Sequence, residues 1–386
     1  MKLLKQIQDY SKDNILFILL VTIYLPLFDY YKILNQNGGH NFMTADWLIN
    51  YKYGFVNRGF TGTLLLSLFD DGKALLVFLT YFLIFIYLSI FYFLNKSFKR
   101  NSEKFITAVL IFSPAGFLLP IYDSQASFRK ELIGILGLFI LLSSINTENF
   151  KKNLKISGFI LTIGIFSHSI NLFFIPTIFL LLYRYQKTRN IFDYLLFLFP
   201  ALLFLVLNFF FKPSEQKLFA IKNKMCTQIY ELGLEKLCGY GSFDFITWDL
   251  NAHYVVTQNY IINLNRENYF IYILFFILSL VPFVFEKKII SLFQEFLIIG
   301  VTFIPLFLIA IDWGRWIHII SICYLSIYLI RDKQVINSNL KYLLFLYPFL
   351  FRMEHCCNTQ FELSTSYFMS NFRYIIWNFT NLFSIF

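Results

Sequence analysis

Apolar runs about as long as a bilayer is thick alternate along this chain with short charged patches. The run from Ile156 to Tyr183 is far longer than a barrel strand, which spans a membrane in about ten residues of alternating polarity. The predicted elements are therefore helices. Taking the Lys- and Arg-rich loops as cytoplasmic threads the chain. The segment MKLLKQIQDYSKDN lies inside and a first helix over 15–31 runs outward. No small-residue cleavage site follows that helix, so it is expected to be retained. Residues 32–72 form an outer segment with a short membrane-dipping helix near 60–69, and helices follow over 74–94, 106–122 and 132–145. Cations flank both ends of the 156–183 run, so it reads as two short helices meeting outside at FSHSIN. A helix over 191–211 leads to a large outer loop, 212–266. Helices over 268–285, 289–311, 316–330 and 342–351 complete the walk, with an amphipathic aromatic tail on the surface. The fold class is all-α: a polytopic integral membrane protein, one transmembrane domain over residues 1–386, with about 11 transmembrane helices and a cytoplasmic N-terminus.

Composition agrees with that pattern. Of the 386 residues 58% are hydrophobic and 15% charged, with 51 Phe and 25 Tyr. Soluble domains carry about 25% charged residues. The net charge of +10 belongs to clusters beside the spans, which set topology and face lipid headgroups. No basic domain exists, so membrane lipids are expected partners and nucleic acid is not. Cys226 and Cys238 share the outer loop, either as a disulfide or as two free thiols, and no cysteine spacing resembles a zinc site.

Polar residues change the picture further, because this threading puts almost all the unusual ones outside. They are Asp46 and Arg58 in ADWLINYKYGFVNRGFTG, Asp123, Arg129, Lys130 and Glu131 in YDSQASFRKE, His168 and Asn171 in FSHSIN, and Asp312 and Arg315 in DWGRW. Ionisable groups at span ends are functional candidates by default. Each also has a structural reading. Asp312 and Arg315, three apart, suit a helix-surface pair beside Trp313 and Trp316. Arg129, Lys130 and Glu131 suit a solvated turn, His168 a satisfied core histidine, and Asp70 with Asp71 a turn. Glu295, inside the 289–311 helix, is expected to be protonated or paired. Gly54, Gly59 and Gly62 around Arg58 permit tight turns and close approach.

Arginine grips phosphate bidentately. Arg58, Arg129, Lys130, Asp312 and Arg315 are therefore the expected substrate-binding residues for a lipid pyrophosphate, with Asp46, Asp123 or His168 as the base in glycosyl transfer. Cations in that role require neither metal nor cofactor. The segments YGFVNRGFTG, FRKE and DWGRW are similar to stretches in bacterial membrane proteins from polysaccharide clusters. The pattern of some eleven helices, the Phe-, Ile- and Asn-rich composition, the one enlarged outer loop and the outward arginines resemble the Wzy-type O-antigen and capsule polysaccharide polymerases of bacteria. That resemblance implies a glycosyltransferase of the bacterial inner membrane. It would join polyprenyl-pyrophosphate-linked oligosaccharide repeat units on the outer face in lipopolysaccharide or capsule synthesis, with a chain-length regulator protein as partner. The Arg-x10-Gly pattern of some members is not evident in the outer loops, which leaves the individual arginine roles open. The chain also resembles C-type glycosyltransferases, which use a polyprenyl monophosphate sugar and an acidic residue in the first outer loop, where Asp46 lies. A glycolipid transporter or flippase is the third reading. It would call for charges along a mid-membrane path and internal repeats, and no clear repeat is present.

Overall fold

A computed structural model of the chain describes residues 18–20, 23–24, 26–34, 38–188, 190–211, 213–264, 266–331 and 339–356. Among them the regular structure is helical, and no β-strand forms. Four helices are long and apolar enough to cross a membrane: Gly72–Arg100, Ile191–Phe211, Ile289–Ile309 and Trp313–Ile330. Two apolar stretches, Glu131–Leu142 and Phe270–Phe285, are shorter. The chain divides into two compact units. One comprises Leu27–Arg100 and Ser127–Val255; the other comprises Met1–Pro26, Asn101–Ala126 and Val256–Phe386.

In the Leu27–Arg100 and Ser127–Val255 unit, Asp71 opens the Gly72–Arg100 helix by accepting the Ala74 N–H at 2.8 Å on Oδ2. This is an N-cap, so Asp71 serves a helix start where a turn was expected. At the helix's far end Arg100 donates to the carbonyls of Leu142 and Ile145 at 3.0 and 3.1 Å. Those carbonyls have no partner inside the Glu131–Leu142 helix, and the guanidinium satisfies them. Phe150–Ser167 packs on Glu131–Leu142 through small residues, with Ser157 Oγ donating to the Gly137 carbonyl at 2.7 Å. Such interfaces let apolar helices approach closely without a hydrophobic driving force between them. The break expected at FSHSIN is present: Phe150–Ser167 ends at His168, whose φ of −163° and ψ of 126° are extended, and a 3-10 turn runs over Ser169–Phe174.

The outer segment has its short helix at Phe60–Leu68, preceded by a smaller one at Met43–Leu48. A Cβ on Gly62 would lie 2.0 Å from the Ile49 carbonyl oxygen, so only glycine lets these two helices fold against each other. The 212–266 loop is itself helical, beginning with Glu215–Glu231. That helix buries Leu218, Ile221, Met225 and Ile229, the spacing of one helix face. Of the two states open for Cys226 and Cys238, the disulfide is the one formed, with a Cα separation of 5.6 Å.

In the other unit, two expectations need correction. The 106–122 stretch is not one helix: Lys104–Ile111 ends at Phe112, and Leu119–Tyr122 starts afresh. Pro114 lacks an N–H and restricts the residue before it, while Phe117 N–H returns to the Ile111 carbonyl at 2.9 Å to close the turn. The expected 342–351 helix is an 11-residue 3-10 segment, Asn339–Phe349. At a rise of about 2 Å per residue it falls short of a hydrocarbon core about 30 Å thick. The amphipathic tail predicted after it lies beyond residue 356, outside the described residues.

Glu295 resolves as paired. Its carboxylate lies 3.2 Å from Arg331 Nη1, with side chains 3% and 8% exposed. Arg331 also donates to the Lys288 carbonyl at 3.3 Å, fastening Ile289–Ile309 to the end of Trp313–Ile330. Removing one partner of a buried pair leaves a naked charge, whereas removing both is close to neutral. Arg331→Met is therefore expected to lose about 3 kcal/mol of stability in a denaturation assay of the solubilised chain, and Arg331→Met with Glu295→Leu to recover most of it. Equal losses from single and double variants would contradict a coupled pair.

Candidate functional site

Asp46 is the charged residue at the centre of the Leu27–Arg100 and Ser127–Val255 unit. The six-residue helix Met43–Leu48 that carries it is wholly buried. His40 Nδ1 accepts the Phe42 and Met43 N–H groups at 3.2 and 3.4 Å, giving the helix start a partner. Trp47 Nε1 donates to the Phe128 carbonyl at 2.7 Å, tying this helix to the chain that leads into Arg129 and Lys130.

The Asp46 side chain is 1% exposed, and its Oδ1 lies 3.4 Å from Arg58 Nη1. Its Oδ2 is buried with no hydrogen-bond partner among the described residues. Burial alone would push this carboxyl up, but Lys130, His168, Arg58 and Arg129 together hold it well below the ordinary carboxylate range. Asp46 is thus held toward its anionic form, with one oxygen beside Arg58 and the other buried.

The cations around it have further work. Lys130 is fully buried and donates from Nζ to the Arg58 carbonyl at 2.7 Å. Burial brings its ammonium down to about 8, against the upward pull of Asp46 and with a further push from Arg58. Arg129, also buried, donates to the Phe42 carbonyl at 2.9 Å. Arg58, 19% exposed, is the cation of this set that combines contact with Asp46 and an outlet to the surroundings. His168 Nδ1 accepts the Ile170 N–H at 3.2 Å, which places the neutral ring's proton on Nε2. Asn171, buried at the same break, donates to the carbonyls of Gly164 and His168 at 2.8 and 3.1 Å. Gly134 makes room for it, since a Cβ there would lie 2.2 Å from Asn171 Oδ1.

The other unit holds Asp123, Asp312 and Arg315. Asp123 Oδ2 accepts the His355 backbone N–H at 2.7 Å and makes a short contact with His355 Nδ1. Burial raises the Asp123 carboxyl, and the contacts with His355 outweigh it, holding the group down to about 2. Arg315 Nη1 lies 2.6 Å from Asp312 Oδ2, and its guanidinium sits 5.2 Å from the centre of the Trp316 ring. The i,i+3 pair with an aromatic neighbour is what their spacing allowed. The Gly314 N–H donates to the His355 carbonyl at 3.0 Å, so His355 links DWGRW to Asp123. Ligand atoms of Asp312, His355 and Cys356 lie within 4.8 Å of one another. Cys356 is disulfide-bonded, however, so it offers no thiolate, and the two remaining ligands fall short of a metal site.

The structure therefore brings Asp46, Arg58, Arg129, Lys130 and His168 together in one unit, and Asp123, Asp312 and Arg315 in the other. His355 was absent from the sequence candidates, which were drawn from segments between predicted spans, whereas it follows the last of them. No protein-family model, curated protein or solved structure matches this chain. The functional reading consequently stands on these side chains alone.

Lys130 gives the cluster a measurable signature. Its folded value of about 8 lies below the ordinary 10.5, so the unfolded chain holds the proton longer. The cost of the buried cation is fully present below pH 8 and disappears as pH rises toward 10.5. Over those 2.5 pH units, at about 1.4 kcal/mol each, stability should rise by about 3 kcal/mol relative to Lys130→Met. Parallel pH profiles for wild type and variant would show the ammonium to be unperturbed.

Proposed function

We propose that this chain is a membrane glycosyltransferase that takes a sugar from a polyprenyl-linked donor at the non-cytoplasmic face, with Asp46 as the base. The observation that carries the reading is the buried, ionised Asp46 with one unpartnered oxygen, beside the partly exposed Arg58. In the step proposed, an acceptor hydroxyl oxygen forms a bond to the anomeric carbon of the donor sugar. Its proton passes to Asp46 Oδ2 as the bond from that carbon to the phosphate oxygen breaks, and the phosphate leaves with the electron pair. Arg58 neutralises the charge growing on the leaving group.

Two donor classes fit this chemistry. Repeat-unit polymerisation from a pyrophosphate-linked oligosaccharide is the activity of the Wzy-like proteins that the sequence resembles. Transfer of a single sugar from a polyprenyl monophosphate is that of the C-type enzymes. The geometry favours the second. Asp46 stands in the first outer segment, as in C-type enzymes, and Arg129 and Lys130 are buried with hydrogen bonds to backbone carbonyls, leaving Arg58 as the partly exposed cation of the set. One such cation suits one phosphate better than two.

The non-cytoplasmic placement is supported by the Cys226–Cys238 disulfide in the loop that covers the Asp46 segment, since disulfides persist in oxidising compartments. With that placement the Lys-rich N-terminal segment stays inside, the orientation expected of a bacterial inner-membrane protein with about eleven crossings. Asp46→Asn is expected to lower sugar transfer at least a hundredfold in membranes supplied with polyprenyl-linked donor, with the protein level unchanged. Arg58→Ala should lose transfer and Arg58→Lys regain little of it. Full transfer by Asp46→Asn would remove the base from this scheme, and a donor preference for pyrophosphate-linked oligosaccharide would return the assignment to a polymerase.

A further inference from the structure

The disulfide-bearing loop places a cluster of rings beside the Asp46 helix. Ser242 Oγ donates to the Phe42 carbonyl at 2.8 Å, the same oxygen that accepts Arg129, and the Ser242 N–H donates to the Asn41 carbonyl at 3.0 Å. A Cβ on Gly241 would lie 2.4 Å from that Asn41 oxygen, so the two backbones are in direct contact. Phe42, at the N-cap of the Met43–Leu48 helix, then meets the rings of Tyr240 and Phe245 at centroid distances of 6.0 and 5.8 Å. Trp248 packs edge-on against Phe245 at 4.9 Å, and His253 lies 5.3 Å from Trp248. Tyr240 is 67% exposed, while Phe42, Phe245, Trp248 and His253 are partly exposed.

The geometry points to this cluster as the binding platform for the acceptor saccharide. A pyranose ring offers one apolar C–H face and a rim of hydroxyls. It is matched by an aromatic wall with polar groups at its edge. The Tyr240 hydroxyl, the Trp248 indole N–H and the His253 ring supply such groups on the rings themselves. The Lys222–Asp244 ion pair and Asn41, whose amide donates to the Tyr240 carbonyl, supply them beside the rings. A headgroup-facing aromatic belt is the competing use of amphipathic rings. Three features favour a sugar: the rings stand edge-to-face as walls, the loop is fixed by a disulfide and backbone hydrogen bonds, and Phe42 lies one helical turn from Asp46. That spacing sets the platform one helical turn, about 5.4 Å of rise, from the helix position that carries Asp46. The identity of the ligand rests on the glycosyltransferase reading; the platform itself rests on the rings.

The test separates the two. The full chain in nanodiscs, without any donor lipid, is titrated with a panel of lipid-free di- to tetrasaccharides, and binding is read by saturation-transfer NMR. Wild type is expected to bind a member of the panel, with Trp248→Ala and Tyr240→Ala each weakening it about five- to tenfold. Trp248→Phe, which keeps a ring, should retain most of the affinity. An intact Cys226–Cys238 disulfide and an unchanged melting temperature certify the fold of each variant. Saccharide binding that depends on these rings, in a protein that transfers no sugar from any donor, would keep the platform and reject the enzyme. Sugar transfer with no saccharide bound, or with affinity indifferent to Trp248 and Tyr240, would overturn the platform. Loss of quenching by brominated lipids in Trp248→Phe, together with saccharide binding that is unaffected in Trp248→Ala, would overturn the platform and assign the rings to the membrane surface instead.

Discussion

Keeping an aspartate charged while it is buried is the constraint around which the Leu27–Arg100 and Ser127–Val255 unit is organised. A carboxylate taken out of water without compensation becomes protonated, because desolvation penalises the ion. Asp46 stays an anion because Lys130, His168, Arg58 and Arg129 surround it, drawn from three separate stretches of chain. Each of those groups must be held in place by something else. Lys130 is fixed by the Arg58 carbonyl, Arg129 by the Phe42 carbonyl, and His168 by the N–H of Ile170. The first two carbonyls belong to the outer segment that bears Asp46, so charge and backbone position each other.

That mutual positioning accounts for the local backbone. The chain must double back between residues 49 and 62 for Arg58 to reach Asp46, and Gly62 permits the close approach that the turn needs. The helix ending at Ser167 must stop so that His168 and Asn171 can face this region, and the extended conformation at His168 stops it. Asn171 then takes up the carbonyls exposed by the break, as helix ends in an apolar setting require.

Much of this was legible in the sequence, for reasons that can be located. The spans at 191–211 and 289–311 were found almost to the residue because their apolar runs are long enough to absorb a single acidic residue each, Asp193 and Glu295. The break at FSHSIN followed from charge at both ends of one long run. The failed helix over 106–122 shows the limit: hydropathy averages over Ser113, Pro114 and Gly116, whereas the backbone responds to the missing N–H at one residue. Asp46, Arg58, Arg129, Lys130 and His168 could be nominated because ions beside apolar runs are rare. Their grouping apart from Asp123, Asp312 and Arg315 could not, since it depends on tertiary contacts with no local signal. His355 shows the same thing from the other side, as an ordinary residue in sequence that gains its role only through contact with Asp123.

The cation set also bears on why the site would be selective. Three cations and the His168 ring surround one carboxylate and give a net positive region, yet Lys130, Arg129 and His168 each make a hydrogen bond to or from the backbone. A fixed positive field with a single partly exposed guanidinium attracts an anion without clamping it tightly. On the transferase reading proposed above, that is the useful balance: charge would be stabilised as it develops, while binding of the ground state and of the spent lipid stays modest. On that reading, Arg129 and Lys130 facing outward would make a stronger phosphate trap and slow the release of product.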